Sequence, residues 1–395
     1  MLAACLGSCP EKLGDDPAER DGPEASGREV AMKRWCLLFL LVATASSAGA
    51  QIGKRVLIAA NSPEDKALSA ISAESDPQKK VAMFEDFIQK FAGSDAVVVA
   101  LEMLQADYLK AQDYPKVWET GERALAQDPL DFNVITSMVR AAEQMNDVQT
   151  IFAFGERAGA MIKTFKSSPP PTGISPEEWA SRRQSDLNGI ADDYNYVAYT
   201  FYSRAASEPN LAQRIALLER FAAAFPDSAY AGYAYEGAAA TAQQVNDPAK
   251  LVELAQKALA LNPHSIGMLL LTADSWSESG EKLDQAEKNA REVLVLLPKA
   301  QKPANVPDEA WSNQISVQEG LAHSILGQLL IRQQKMSDAI AELKLGTPLL
   351  KREPVSYARN QYRLGFALGK LRRLAEARTV LNKVAALDTP YKSLI

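Results

Sequence analysis

The sequence predicts an all-α protein built as a solenoid of stacked helical hairpins, and three observations predict it. Helix-forming Ala, Leu, Glu, Gln, Lys and Arg dominate residues 63–388, with apolar positions recurring every three or four residues. Runs of β-branched residues are rare, and the one at Val97-Val98-Val99 sits inside an otherwise helical window. The chain also repeats itself. Gly121-Glu122-Arg123-Ala124 returns as Gly155-Glu156-Arg157-Ala158. That stride, about 34 residues, is the length of one helical hairpin, whose apolar face is covered only when a neighbour stacks on it.

The N-terminal region stands apart. Residues 1–31 are rich in Gly, Pro and acids and carry no apolar period, so they are read as a misassigned or disordered extension. From Met32 the chain reads MKRWCLLFLLVATASSAGAQ: two positive charges, a short apolar run from Cys36 to Ala45, and Ala48-Gly49-Ala50 before Gln51. That is the form of a secretory signal peptide over 32–50, cut after Ala50. The run is half the length that a membrane span requires, so no stable span is expected after cleavage. All three cysteines (Cys5, Cys9, Cys36) precede the cut, leaving a mature chain with neither disulfide nor thiolate metal site. Residues 51–62 are expected to be a flexible leader to the folded array.

The array then proceeds unit by unit. Leu101, Leu104 and Tyr108 fall on a first helix, Val117, Gly121 and Ala124 on a second, and Pro129 closes the unit. Adding one stride gives Ile135, Met138 and Ala142, then Ile151, Gly155 and Ala158. Small Gly and Ala on the inward face of each second helix let neighbours approach closely, while the intervening Glu and Arg face water. Tyr235, Ala238, Ala242, Leu251, Ala255, Ala258 and Pro263 keep the register, as do later copies around Trp276, His323 and Leu364. This pattern resembles the tetratricopeptide repeat: W-x2-L-G-x2-Y, then A-x3-F, then a closing Pro. The resemblance covers about 290 residues and implies a right-handed superhelix of antiparallel helix pairs, occupying 63–390 as one body.

A longer period overlies the shorter one. ALAQDP ends at Pro129 and ALALNP at Pro263. VAMFEDFIQKFAGS opens at Val81 and IALLERFAAAFPDS at Ile215, separated by the same interval, which is close to four strides. The array therefore reads as a duplicated block of about four helix pairs plus one more. Each block carries a Pro-rich insertion, at 166–180 and 299–314, closed by Trp179 and Trp311. Those tryptophans either staple the loop to its own helix or project as binding contacts.

Composition excludes several functions. Net charge is −6 with acids and bases interspersed, and no basic stripe is present to attract nucleic acid. The two histidines, His264 and His323, are far apart in the chain, no H-E-x-x-H or G-x-S-x-G occurs, and no spacing marks a pair of catalytic carboxylates. The sequence predicts no enzyme, no cofactor and no metal. The resemblance implies instead that a protein or extended peptide lies in the groove formed by the first helices. Carried onto this chain, the groove positions are Asn133, Thr136, Arg140, Tyr196, Tyr199, Tyr233, Glu236, Asp274, Gln328, Arg359 and Tyr362. Other tyrosines of the 194–235 segment are expected to fill gaps beside Ala and Gly.

The reading that follows is a non-catalytic interaction scaffold of the cell envelope, placed in a bacterial periplasm by its leader and cysteine-free mature chain. An alternative is an envelope or outer-membrane assembly accessory. FAAAFPDSAYAGYA and FIQKFAGSDAVVVA are similar to repeats of outer-membrane-biogenesis and cell-division-coordination proteins. A third is an enzyme or ligand carrier using the two Trp-bearing insertions.

Overall fold

The computed structural model describes residues 52–54 and 56–394. The leader over 32–50, the extension before it and all three cysteines lie outside the described residues. Among the described residues there are seventeen α-helices and no strand. They run α1 (Pro63–Ala73), α2 (Pro77–Lys90), α3 (Ala96–Lys110), α4 (Tyr114–Gln127), α5 (Phe132–Gln144) and α6 (Val148–Ser167). Then come α7 (Pro176–Gly189), α8 (Ala191–Ala206), α9 (Leu211–Ala224), α10 (Ala231–Gln244), α11 (Pro248–Leu261) and α12 (Ile266–Ser279). The last are α13 (Leu283–Leu296), α14 (Asp308–Arg332), α15 (Met336–Leu349), α16 (Pro354–Lys370) and α17 (Leu374–Ala385).

Local chemistry sets the hairpins. In the turns α3–α4, α5–α6 and α10–α11, one residue adopts the left-handed conformation: Gln112, Asn146 and Asn246, at φ 60°, 53° and 58°. An Asp follows each time. The backbone N–H of Asp113, Asp147 and Asp247 reaches back to the carbonyl of Tyr108, Ala142 and Ala242, closing the first helix with a Schellman bond. The carboxylate of the same Asp then accepts an N–H of the next helix: Lys116 at 3.4 Å, Thr150 at 3.1 Å, Lys250 at 2.9 Å. One dipeptide thus stops one helix and starts another.

In several pairs the first helices pack on one another: α3 on α5, α5 on α8, α12 on α14, α14 on α16, while α10 touches α8 and α12 little. Among second helices only α6 and α9 touch to a similar extent. A stack in which the first helices crowd together curves around them, so they line its inner face. Apolar side chains fill the layer between the rows, with Phe84, Phe87, Phe132, Phe201, Phe221 and Phe225 essentially inaccessible. Each such ring contributes about 1.5–3 kcal/mol by leaving water. Gly121 and Gly155 lie in this layer, where a Cβ would come within 2.5 Å of Gln105 Nε2 and 2.6 Å of Phe201 Cδ1.

Two expectations need correcting. The Glu and Arg of the repeated tetrapeptide do not simply face water. Arg123 pairs with Glu85 at 2.7 Å, Arg157 with Glu122 at 2.6 Å and Arg220 with Glu156 at 2.5 Å. Each Glu–Arg dipeptide holds the preceding second helix with its Arg and the following one with its Glu. The insertions are also more helical than expected. Residues 176–189 form α7, and α14 begins at Asp308 and runs 25 residues without a break. In the first block the corresponding helix is interrupted at Ile190, whose ψ of 9° departs from the helical value.

Candidate functional site: the inner face of the first helices

The inner face is not one uniform groove. In its C-terminal part it is bridged by charge. Asp274 on α12 accepts from Arg359 on α16 at 2.8 Å, although α14 lies between them in the chain order. Arg363, one helical turn on, donates to the Ser324 carbonyl at 3.0 Å and its hydroxyl at 2.9 Å, and also to Glu278. Arg332 of α14 donates to the carbonyls of Ser277 and Glu278. Burial opposes ionisation of Asp274, but the Arg359 and Arg363 charges overcome it and hold the carboxyl below its ordinary value. Tyr362 packs near Tyr391 of the C-terminal turn, rings 6.0 Å apart. Asp274 and Arg359 are therefore structural ties and not free groove contacts.

The N-terminal part is tied differently. Arg140 of α5 pairs with Asp193 at 3.0 Å and lies over the Tyr196 ring at 4.6 Å. The Tyr196 hydroxyl donates to Glu143 at 2.5 Å, and burial, then this bond, raises its pKa. Thr136, expected on the groove, is buried, its hydroxyl donating to the Phe132 carbonyl at 2.9 Å, so it contributes nothing to a groove surface. An α5 side chain one position off the exposed stripe falls into the layer beneath.

Between these zones lies the more accessible stretch. Tyr233 of α10 is 46% exposed, and Leu261, at the end of α11, is 51% exposed. With Glu236, Asn262 and the α9–α10 loop that carries Asp227 they edge a cleft of about 330 Å³. Glu236 is half-buried and accepts the Ser265 hydroxyl at 2.6 Å; burial raises its pKa. Tyr199 is half-buried against Tyr230, rings 5.4 Å apart. Asn133 and Gln328 are half-buried on α5 and α14.

Tyr194, Tyr202 and Tyr230 pack against other aromatic rings. Tyr202 stacks on Tyr230 with centroids 5.3 Å apart, and Tyr194 packs edge-on against Phe225 at 5.5 Å. Burial pushes the Tyr194 hydroxyl up to about 12. The paired phenylalanines of the F-x-x-x-F segments are also core. Phe87 and Phe91 lie 4.7 Å apart, Phe221 and Phe225 5.5 Å.

Of the two insertion tryptophans, Trp179 is a staple. Its indole N–H donates to the Ser168 carbonyl at 3.1 Å and its ring meets Phe165 edge-on at 5.9 Å, fastening α7 to the end of α6. Trp311 is half-buried in the first turn of α14. His323 is a largely packed imidazole whose Nδ1 lies 2.7 Å from Glu342.

Sequence reasoning missed Asp128 and Asp131, which form an acidic junction with Glu102. Asp131 is nearly inaccessible, and burial pushes its carboxyl above the usual range against the opposing pull of Glu102 and two backbone N–H groups. Among the described residues, Ile52-Gly53-Lys54 lies across this junction. The available signal was the DPLD stretch at 128–131, whose two acids bracket the turn between α4 and α5.

The hairpins and their stacking define the class: this is an all-α solenoid of tetratricopeptide-like helix pairs. A crystal structure of yeast Tom70 is similar over 86% of this chain and 64% of that one, with 14% identity and a TM-score of 0.34. The chain thus spans just under two thirds of the Tom70 chain. The tetratricopeptide domain of P58(IPK) is similar over 82% of this chain and 83% of that one, at 15% identity and a TM-score of 0.27. No family model matches the sequence, and no curated protein does. The class rests on the chain's own hairpins. No described helix is long and apolar enough to cross a membrane.

Proposed function

We propose that this chain is a non-catalytic protein-interaction scaffold of the cell envelope, exported by the leader at 32–50, which takes an extended peptide or partner protein against its first helices. The observation that carries the reading is the accessible stretch at α10 and the end of α11. There Tyr233 presents a rigid amphipathic ring beside an exposed Leu261 and an open cleft. Large aromatic surfaces next to apolar hollows are where partner binding energy concentrates. The C-terminal inner face, bridged by Asp274, Arg359 and Arg363, supplies rigidity and not contact.

Replacing Tyr233 with a photoreactive residue in the full chain, followed by irradiation in the native envelope, tests this. The expected result is a discrete protein adduct that a charge-bridged position such as Arg359 does not give. Equal capture at both positions, or turnover of a small molecule by the purified chain, would overturn it.

A further inference from the structure

The internal duplication places two copies of one junction in the molecule, and the first has a visible occupant. Ile52 is fully buried in the main apolar layer. The Lys54 backbone N–H donates to Asp128 Oδ2, and its Nζ lies 3.2 Å from Asp95. Gly53 has φ +127°, a conformation that side chains resist. A Cβ there would fall on the Asp128 carboxylate and within 3.4 Å of the Asp131 Cα. A short bent segment, aliphatic–Gly–base, is thus held against the α4–α5 turn.

Laying the second block on the first maps α4 onto α11 and carries Glu102 to Glu236, Asp128 to Asn262 and Asp131 to Ser265. The local bonds travel too. Asp128 Oδ1 accepts the Leu130 N–H at 3.1 Å, and Asn262 Oδ1 accepts the His264 N–H at 3.3 Å. The Glu102–Asp131 approach becomes the Glu236–Ser265 bond. In this second copy the space is the 330 Å³ cleft, and α10 and α12 make at most marginal contact where α3 packs on α5. Two rim side chains are larger: Leu261 stands where the first copy has Gln127, and Tyr233 where it has Val99, beside the polar Asp227 and Glu236.

We propose that the cleft bounded by α10, the end of α11 and the α9–α10 loop is a second peptide notch, which receives from a partner protein a short segment with an aliphatic residue followed by glycine. The inference rests on the interaction-scaffold reading and locates its site. Asn262 and Ser265 stand in place of Asp128 and Asp131, so the acids that edge this cleft are Glu236 and Asp227. With Asn262 Oδ1 held by His264, its Nδ2 takes the place of Asp128 Oδ2. A donor there selects a backbone carbonyl of the ligand where the first notch takes an N–H. The exposed Tyr233 and Leu261 then cover the aliphatic side chain.

The test uses the full chain and a fluorescent peptide copying residues 52–57, Ile-Gly-Lys-Arg-Val-Leu. Asn262→Asp restores the first notch's acceptor, so it should bind this peptide about tenfold more tightly than the unmodified chain. Gly232→Leu should abolish binding. A Cβ at Gly232 meets only Leu261 Cβ, at 4.0 Å, so the larger side chain fills the cleft without disturbing the fold. Equal affinity across all three chains, or no binding to the Asn262→Asp chain, overturns the notch. Adduct formation at position 233 that survives Gly232→Leu overturns the notch while leaving the scaffold reading intact. A concentration-dependent dimer that Gly53→Val dissolves would show that a second copy supplies the occupant, and would overturn the partner proposal.

Discussion

At the scale of single residues, two glycines in similar helical positions face opposite fates. A Cβ on Gly159 would sit 2.5 Å from the Ala224 carbonyl oxygen and 2.8 Å from its Cβ, so backbone would have to move. Gly159→Ala is expected to cost about 1–3 kcal/mol through over-packing. Gly369 has nothing within 4 Å of the same point, and Gly369→Ala should gain up to about 1 kcal/mol from helix propensity alone. Urea melts of the pair check both signs; a loss at 369 or a gain at 159 would contradict the packing. Asp131 offers a pH test. Burial raises its carboxyl, so the folded chain holds that proton more tightly than the unfolded chain does. The stability this gives is present at low pH and lost as pH rises through the raised value. Asp131→Asn keeps a side-chain oxygen for the N–H groups of Asn133 and Val134, so its melting temperature should exceed the parent's by more at pH 8 than at pH 4.

At the scale of elements, long-range ties differ in kind. The outer ladder through Arg123, Arg157 and Arg220 is partly exposed, so each link contributes at most about 1 kcal/mol and weakens in salt. The α12–α16 bridge is buried. Asp274→Asn strands Arg359 without its counter-charge and should cost about 3–5 kcal/mol, whereas Asp274→Leu combined with Arg359→Met should recover most of that loss. Chemical denaturation of the single and double variants measures the difference; equal losses would mean the bridge is not the tie described. Because Asp274 is held below its ordinary value, its contribution is present above that value and fades as pH falls through the lowered one.

At the scale of the whole molecule, helices touch mainly their sequence neighbours, so stability is close to a sum of local interfaces. Amide exchange should then be graded along the chain, fastest in α1 and in α17 and slowest in the central layer around Phe201 and Phe221. Uniform protection from end to end would contradict that additivity. The apolar layer is correspondingly divided, with separate clusters around Phe84 and Phe87 at one end and Leu343 and Leu368 at the other.

The sequence by itself determined the brick and its stride. These depend on residues a helical turn apart or one hairpin apart, and such periods are written along the chain. It also placed Trp179 as a staple candidate and Tyr233 on the accessible stripe. Only the tertiary structure decided which inner-face side chains remain available. Asp274 meets Arg359 across 85 residues, and Lys54 reaches Asp128 across 74. No local pattern records such pairings, because they follow from the accumulated curvature of the stack, to which every hairpin adds a small rotation.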